Sequence, residues 1–341
     1  MSRLPLAVLL LSATMASAAP PVAPPLVTSL SAADCQACHP KIVAEWSQSR
    51  HAHAATNDLF RSAFRRDPLD WCLRCHAPLP AQAASFRQAS TSSGGADNLV
   101  AQGVNCAVCH LRDGQILTAR PVTERGQRAH PLRQVPQLQT AEFCAVCHQA
   151  NWPRTVRPLV LSEVPMQDTL AEFRRAGIQE RTCQDCHMPG RSHRFPGGHD
   201  ANWLRQTVSL RVTRDRAQHL QVALLARGIG HQLPTGDPFR RFLLDICRDP
   251  ECDEPVVSFS LGRFFDSVGG EKVLLRDTSL PVPRPGQPSE RRFSYKLPPS
   301  VHSAELFFRL QYAYAAPSTE PELDPEQVAT LLSSGRVPGA P

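Results

Sequence analysis

Apolar and polar positions are arranged differently in the two halves of the 341-residue chain. From about Leu204 they alternate in short runs: Val208-Ser209-Leu210-Arg211-Val212, His219 to Leu224, Phe242 to Ile246, Val256 to Leu261, Lys272 to Leu275, Arg292 to Leu297 and Glu305 to Tyr312. Alternation puts successive side chains on opposite faces of a strand, and Gly, Pro and Asp punctuate the runs. Seven strands forming a β-sandwich of immunoglobulin-like type are therefore expected. The first half lacks this alternation. It predicts one helix over about Lys41 to Arg66, then short helices and loops. Near the end, Asp324 as N-cap, Pro325 at the first helical position, Gln327 three after the cap and Gly335 as a stop predict a short helix that takes in Val328 to Ser334.

The first thirty residues follow neither pattern. Met1-Ser2-Arg3 is short and basic, Leu4 to Ser12 is apolar, and Ala16-Ser17-Ala18 is a small-x-small cleavage site. This is the layout of a secretory signal peptide, so export is expected, to the periplasm or elsewhere outside the cytoplasmic membrane. Pro5 and the Pro20 to Pro25 stretch argue against a buried helix there. Nothing after residue 20 approaches the apolar length that a membrane span needs, so no span is expected in the mature form.

Twelve cysteines in an exported chain suggest a disulfide framework. Ten of them instead fall into one repeat: Cys35-Gln36-Ala37-Cys38-His39, Cys72-Leu73-Arg74-Cys75-His76, Cys106-Ala107-Val108-Cys109-His110, Cys144-Ala145-Val146-Cys147-His148 and Cys183-Gln184-Asp185-Cys186-His187. Each is C-x-x-C-H, the attachment signature of c-type haem. Two thiols about one helical turn apart can form thioethers with the two vinyl groups, and the next residue presents its imidazole to the iron. A redox C-x-x-C or half a zinc site can account for one copy. Neither accounts for a histidine after every second cysteine five times over. Five c-type haems are expected as cofactors, with iron held by His39, His76, His110, His148 and His187 as proximal ligands.

The expected fold class is α + β in two parts, a mostly helical and loop pentahaem domain followed by a C-terminal β-sandwich. The divisions are 1–18 signal peptide, 19–33 Pro-rich linker, 34–203 pentahaem domain, 204–316 β-sandwich and 317–341 tail with a short helix. So short a segment per haem leaves little room for a conventional core, and the porphyrins are expected to supply apolar surface. The last two cysteines, Cys247 and Cys252, bracket a turn and are expected to form a disulfide.

Iron has two axial sites, and ligand identity sets potential and reactivity. Met1 and Met15 leave with the signal and Met188 follows His187 too closely to cross its ring, so only Met166 remains. Thirteen histidines minus five proximal ones leave eight, which makes bis-histidine ligation the default. His51, His130, His193, His199 and His231 are the candidate distal ligands. His53 lies two residues from His51, on the opposite side of the expected helix, and His219 and His302 read as strand-surface residues.

Cys35 to His51 reads C-x-x-C-H followed by Trp46-x-x-Ser49-x-His51. This resembles the cytochrome c-554 family, relatives of the hydroxylamine oxidoreductase and octahaem tetrathionate reductase haem cores. Cys186-His187-Met188-Pro189 with the following His193, and Gly230-His231-Gln232-Leu233-Pro234-Thr235-Gly236, are similar to that wider group. The resemblance covers about residues 34 to 237. It implies His51 as a distal ligand to a haem other than its sequence neighbour.

Formal charge is +6. Loss of Arg3 leaves one less, and ten propionates on five haems would bring the balance to about −5. The basic count therefore does not argue for nucleic acid. Only Lys41, Lys272 and Lys296 are lysines, and arginine suits bidentate pairing with propionates. The expected function is electron transfer between redox protein partners, either other cytochromes or a membrane quinol oxidoreductase, with no catalytic residue assigned. The alternatives are a multihaem reductase of small nitrogen or sulfur compounds with one open haem, and a subunit of a haem-conducting filament or complex.

Overall fold

The computed structural model describes residues 31–91, 98–178, 180–315 and 323–338. The expected signal peptide and most of the Pro-rich linker lie outside the described residues. The chain has a mixed α+β fold, with helices concentrated before residue 208 and most of its strand after it.

The alternating segments pair as they read. A five-stranded antiparallel sheet has the spatial order Glu271–Asp277, Pro255–Val268, Arg241–Cys247, Phe307–Ala313, Ala329–Arg336. A three-stranded one has the order Ser289–Lys296, His219–Ala226, Val208–Arg214. Their inward positions meet in one core. Leu220, Val222, Leu224 and Ala226 from the smaller sheet join Phe242, Leu244, Ile246, Leu310 and Tyr312 from the larger one, all sealed from solvent. Removing one such large side chain typically costs about 3–5 kcal/mol, so this core anchors the C-terminal half. Cys247 and Cys252 form a disulfide with Cα atoms 5.2 Å apart, closing the turn after one strand.

The first half has only small apolar clusters, one around Phe64, Leu73, Phe86 and Val100 and one around Ala32, Trp46 and Ala52. Polar anchors do much of the holding instead. Buried Gln82 donates to the carbonyls of Leu99 and Gly103 at 3.0 and 2.7 Å and accepts from the Leu79 amide.

Three expectations need correction. The helix over Lys41 to Arg66 is two helices, Pro40–Ser47 and Asp58–Arg66, separated by turns that carry His51 and His53. Asn57 caps the second by accepting from the amides of Leu59 and Phe60, and buried Ser49 accepts from the Ala52 amide. The His51 carbonyl accepts from Val104 rather than continuing a helix. The helix near the C-terminus is a single turn, Pro325–Val328, with the expected Asp324–Gln327 capping box. Residues from Ala329 on form an edge strand instead, because Phe307–Ala313 offers a free partner edge and Ala329 and Leu332 bury against the core. Finally, the half expected to be helix and loop also contains a hairpin, Gln149–Val156 with Leu159–Asp168, and a small sheet of Leu111–Arg112, Gln115–Thr118 and Leu132–Gln134. Prolines 153, 158 and 165 hide the hairpin's alternation, and its register shifts repeatedly around them.

Candidate functional site

Four of the five motifs carry both cysteines and the histidine on one short helix: Asp70–His76, Cys106–His110, Ala141–His148 and Cys183–His187. Residues three and four apart on a helix share a face, so each helix presents two thiols and an imidazole together. Local capping explains why such short helices form. Asn105 accepts from the amides of Ala107 and Val108, and Thr182 with Asp185 makes a reciprocal capping box. The first motif differs: Cys35 lies in the single helical turn Ala33–Gln36, His39 is the N-cap of the next helix, and both Cys38 and His39 are exposed. None of the ten motif cysteines is in a disulfide.

The fold brings these motifs against one another. Thiols from different motifs lie close enough to shift one another's ionisation, pairing Cys35 with Cys106, Cys75 with Cys147 and Cys144 with Cys183. Cys147 lies close enough to Cys109 to raise its ionisation cost, and Cys109 does the same to Cys144. Polar bonds lock the same joints. The Gln102 side chain accepts from the Ala32 amide and from Asn105 at 2.8 and 3.0 Å, tying the first motif to the third. Gln184 donates to the carbonyls of Leu138 and Thr140, tying the fifth to the fourth.

Five imidazoles have their Nδ1 on a backbone carbonyl: His76 on Ala54 (2.8 Å), His110 on Leu117 (3.0 Å), His187 on Pro196 (2.6 Å), His193 on Arg191 (3.1 Å) and His231 on Gln232 (2.7 Å). A carbonyl only accepts, so Nδ1 carries the proton and Nε2 keeps its lone pair, the form that binds a metal. Burial also keeps several rings neutral. It pushes His51 down to about 4, His148 to about 3 and His231 to about 4, with neighbouring imidazoles adding to the effect.

Three candidate distal histidines face a motif histidine. Ring centres are 6.1 Å apart for His51 and His148, 6.4 Å for His193 and His110, and 6.2 Å for His231 and His187. Two imidazoles on opposite sides of one iron, each about 2 Å from the metal, hold their ring centres roughly 6 Å apart. The donor set and its spacing thus fit haem iron, and so do the tautomers of the His193–His110 and His231–His187 pairs. Among the described residues His39 and His76 are in no such pair, and the His76 ring lies flat on Phe60 at 3.9 Å.

The other candidates are placed differently. His199 stacks on Tyr314, with ring centres 4.0 Å apart. His130 follows the helix Glu124–Ala129, with its Nδ1 buried and, among the described residues, without a hydrogen-bond partner. His53 is exposed. His219 lies 3.7 Å from Asp215 and His302 donates to the Leu297 carbonyl, both in the strand-rich half.

Several supporting residues escape a sequence reading. The His231 loop is pinned on one side by Thr235, which donates to buried Glu172 at 2.5 Å, and on the other by Gln232 donating to Asp277 and by reciprocal Leu233–Leu280 backbone bonds. The His193 amide donates to Glu45 at 2.9 Å. Arg240 acts on His148, His199 and His231 together and has no motif to mark it.

Two family models match the chain. One, described as outer membrane cytochrome MtrC/MtrF-like, domains II/IV, matches residues 82–200, and the other, cytochrome c554 and c-prime, matches residues 34–111. No curated protein and no solved structure matches it.

Proposed function

We propose that this chain, a multihaem c-type cytochrome, carries electrons through five covalently attached haems, three of them held between two of its own imidazoles. The observation that carries the reading is the set of three histidine pairs at single-iron spacing, His51 with His148, His193 with His110 and His231 with His187. Covalently bound c-type haem supplies one-electron iron chemistry, and axial imidazoles favour lower potentials than a His/Met set. The chain's part is to attach, orient and crowd these groups. Cys35, Cys38, Cys72, Cys75, Cys106, Cys109, Cys144, Cys147, Cys183 and Cys186 are the attachment points, and His39, His76, His110, His148 and His187 the proximal ligands.

Adjoining sulfurs make the attachment sites continuous. The first motif adjoins the third, the second and fifth adjoin the fourth, and the third reaches the fourth through Cys109. Electrons delivered to any one of them then have a neighbour to pass to.

The division into a haem-bearing part, 34–203, and a β-sandwich, 204–316, fits this reading, with the second part lending His231 to the first. An extracytoplasmic setting is supported by the leader pattern over residues 1–18 and by the outer-membrane description of one matching family. Among the described residues no helix is long and apolar enough to cross a membrane. Partners are redox proteins, other cytochromes or a membrane quinol oxidoreductase.

A second reading, reduction of a small nitrogen or sulfur compound, is favoured by one observation: His39 and His76 lack a facing imidazole among the described residues. One experiment addresses both readings. Protein made in a host that assembles holocytochromes should gain about five haem masses and give at least three low-spin ferric signals. Free thiols at the motif pairs would end the electron-carrier reading. A high-spin signal that shifts on adding a small ligand would favour the second.

A further inference from the structure

His199, Arg50, Arg240, Tyr312 and Tyr314 form a cluster that the axial pairs do not use. The His199 ring stacks on Tyr314 at 4.0 Å and 18°. Arg240 hydrogen-bonds Tyr312 and donates to the Thr235 carbonyl at 3.3 Å, while its charge and that of Arg50 both bear on His199 and on each other. A side chain at Gly198, next to His199, would come within 3.1 Å of the Tyr312 oxygen and 3.4 Å of Arg240 Nη1, so the backbone itself closes one wall.

No guanidinium of this cluster is paired with a carboxylate among the described residues. Burial and the two guanidiniums push His199 down to about 2, so its ring is neutral. Among the described residues neither Arg50 nor Arg240 is in an ion pair. Asp58 bears on Arg50, and Asp200 and Asp237 on the two tyrosines, but each of these carboxylates hydrogen-bonds a neutral group instead of a guanidinium: Asp58 the Gln327 amide, Asp200 the Trp203 amide and Asp237 the Phe239 amide. Two like charges converging where water is partly excluded are unfavourable unless an anion joins them. Guanidinium forks match the two oxygens of a carboxylate. The cluster also lies where carboxylates are due, because Arg240 bears on both His148 and His231, ligands of two different proposed haems.

We propose that Arg50, Arg240 and His199 form a carboxylate receptor for a haem propionate, and that His199 is not an axial ligand. The inference rests on the haem-binding reading above. It gives the phenols a role as well: Tyr312 orients Arg240, and Tyr314 fixes the plane of His199 so that a ring nitrogen can face the carboxylate.

The test uses the haem-loaded full chain and four substitutions. His199→Gln should leave the haem content and the number of low-spin signals unchanged. Arg240→Gln and Arg50→Gln should each lower the midpoint potential of at least one haem, because losing a cation near the iron favours its ferric form. Arg240→Lys keeps the charge but not the fork, and should also shift a potential, which distinguishes the receptor from a field acting at a distance. Conversion of one haem to high spin in His199→Gln would make His199 a ligand and overturn the proposal. So would wild-type potentials in all the arginine variants. Saturable spectral changes of the wild type with added acetate or nitrite, lost in Arg240→Gln, would assign the receptor to a dissolved anion instead and overturn the propionate. Chain carrying no haem at all would defeat the underlying reading, a separate outcome visible in the mass.

Discussion

The position of His51 depends on a residue that is not itself an expected ligand. Gly103 has φ +50°, and a Cβ built there would lie 2.5 Å from the His51 carbonyl oxygen, 2.8 Å from that of Ala52 and 2.9 Å from the Ala54 nitrogen. All three are backbone atoms, so none can swing aside as a side chain could. The segment is also tied on both sides: Val104 donates to the His51 carbonyl at 2.8 Å, and Trp46 Nε1 donates to the Val104 carbonyl at 2.9 Å. Gly103→Ala should therefore incur two costs. The left-handed backbone disfavours an L side chain by about 1–2 kcal/mol. Overpacking a tight contact adds about 1–3 kcal/mol, for a total of about 2–5 kcal/mol. At 1.36 kcal/mol per tenfold, that is about thirty-fold to a few thousand-fold in the population of the native loop. The chain's easiest relief is to move His51 away from His148. Denaturant unfolding of the haem-loaded protein should show the loss of stability, and the ferric spectrum should show one haem turning high-spin. Gly269→Ala is the control, with φ +61° and nothing within 4 Å of its Cβ, and should cost only the backbone term, about 1–2 kcal/mol, without touching any spectrum. If Gly103→Ala unfolds at the wild-type denaturant concentration and keeps every low-spin signal, the coupling between this glycine and His51 is wrong.

Two further outcomes are expected. His193→Gly should leave the iron above His110 without its partner, giving one new high-spin signal that added imidazole restores; an unchanged spectrum would remove His193 from the ligand set. Burial holds buried Glu172 above its ordinary value of 4.5, with Thr235 and Arg263 opposing the shift. A carboxyl raised in the folded state is favoured as the neutral acid, so its stabilising contribution is full below about 4.5 and is lost as pH rises through the folded value. Glu172→Gln keeps a neutral partner for Thr235 and should flatten that part of the melting-temperature profile; a profile parallel to the wild type's would contradict it.

The strand-rich half was legible because its segments alternate with a period of two and bury one face, as Leu220, Val222 and Leu224 do. The motif helices were legible because their chemistry lies within five consecutive residues. What joins motifs was not. Cys75 meets Cys147, and His193 faces His110, through contacts between segments far apart in the chain, and no local pattern encodes such a meeting. The split at Gln48 to Asn57 was missed because Ser49 and Asn57 act through side-chain bonds to nearby amides, which compete with helix without interrupting helical periodicity. The final strand was misread because a good capping box announces where a helix begins and says nothing about how far it runs.

The loop that carries His231 has a consequence for how the protein is made. Its imidazole comes from beyond two strands of the smaller sheet, and its anchors, Asp277 and Leu280, come later still. On the proposed pairing, attachment at Cys183 and Cys186 can be finished long before the iron there gains its second nitrogen. Maturation then has a direction. On that pairing, a chain truncated before Leu280 would leave the iron at His187 open to small molecules, because the strand-rich half would be what completes the last site.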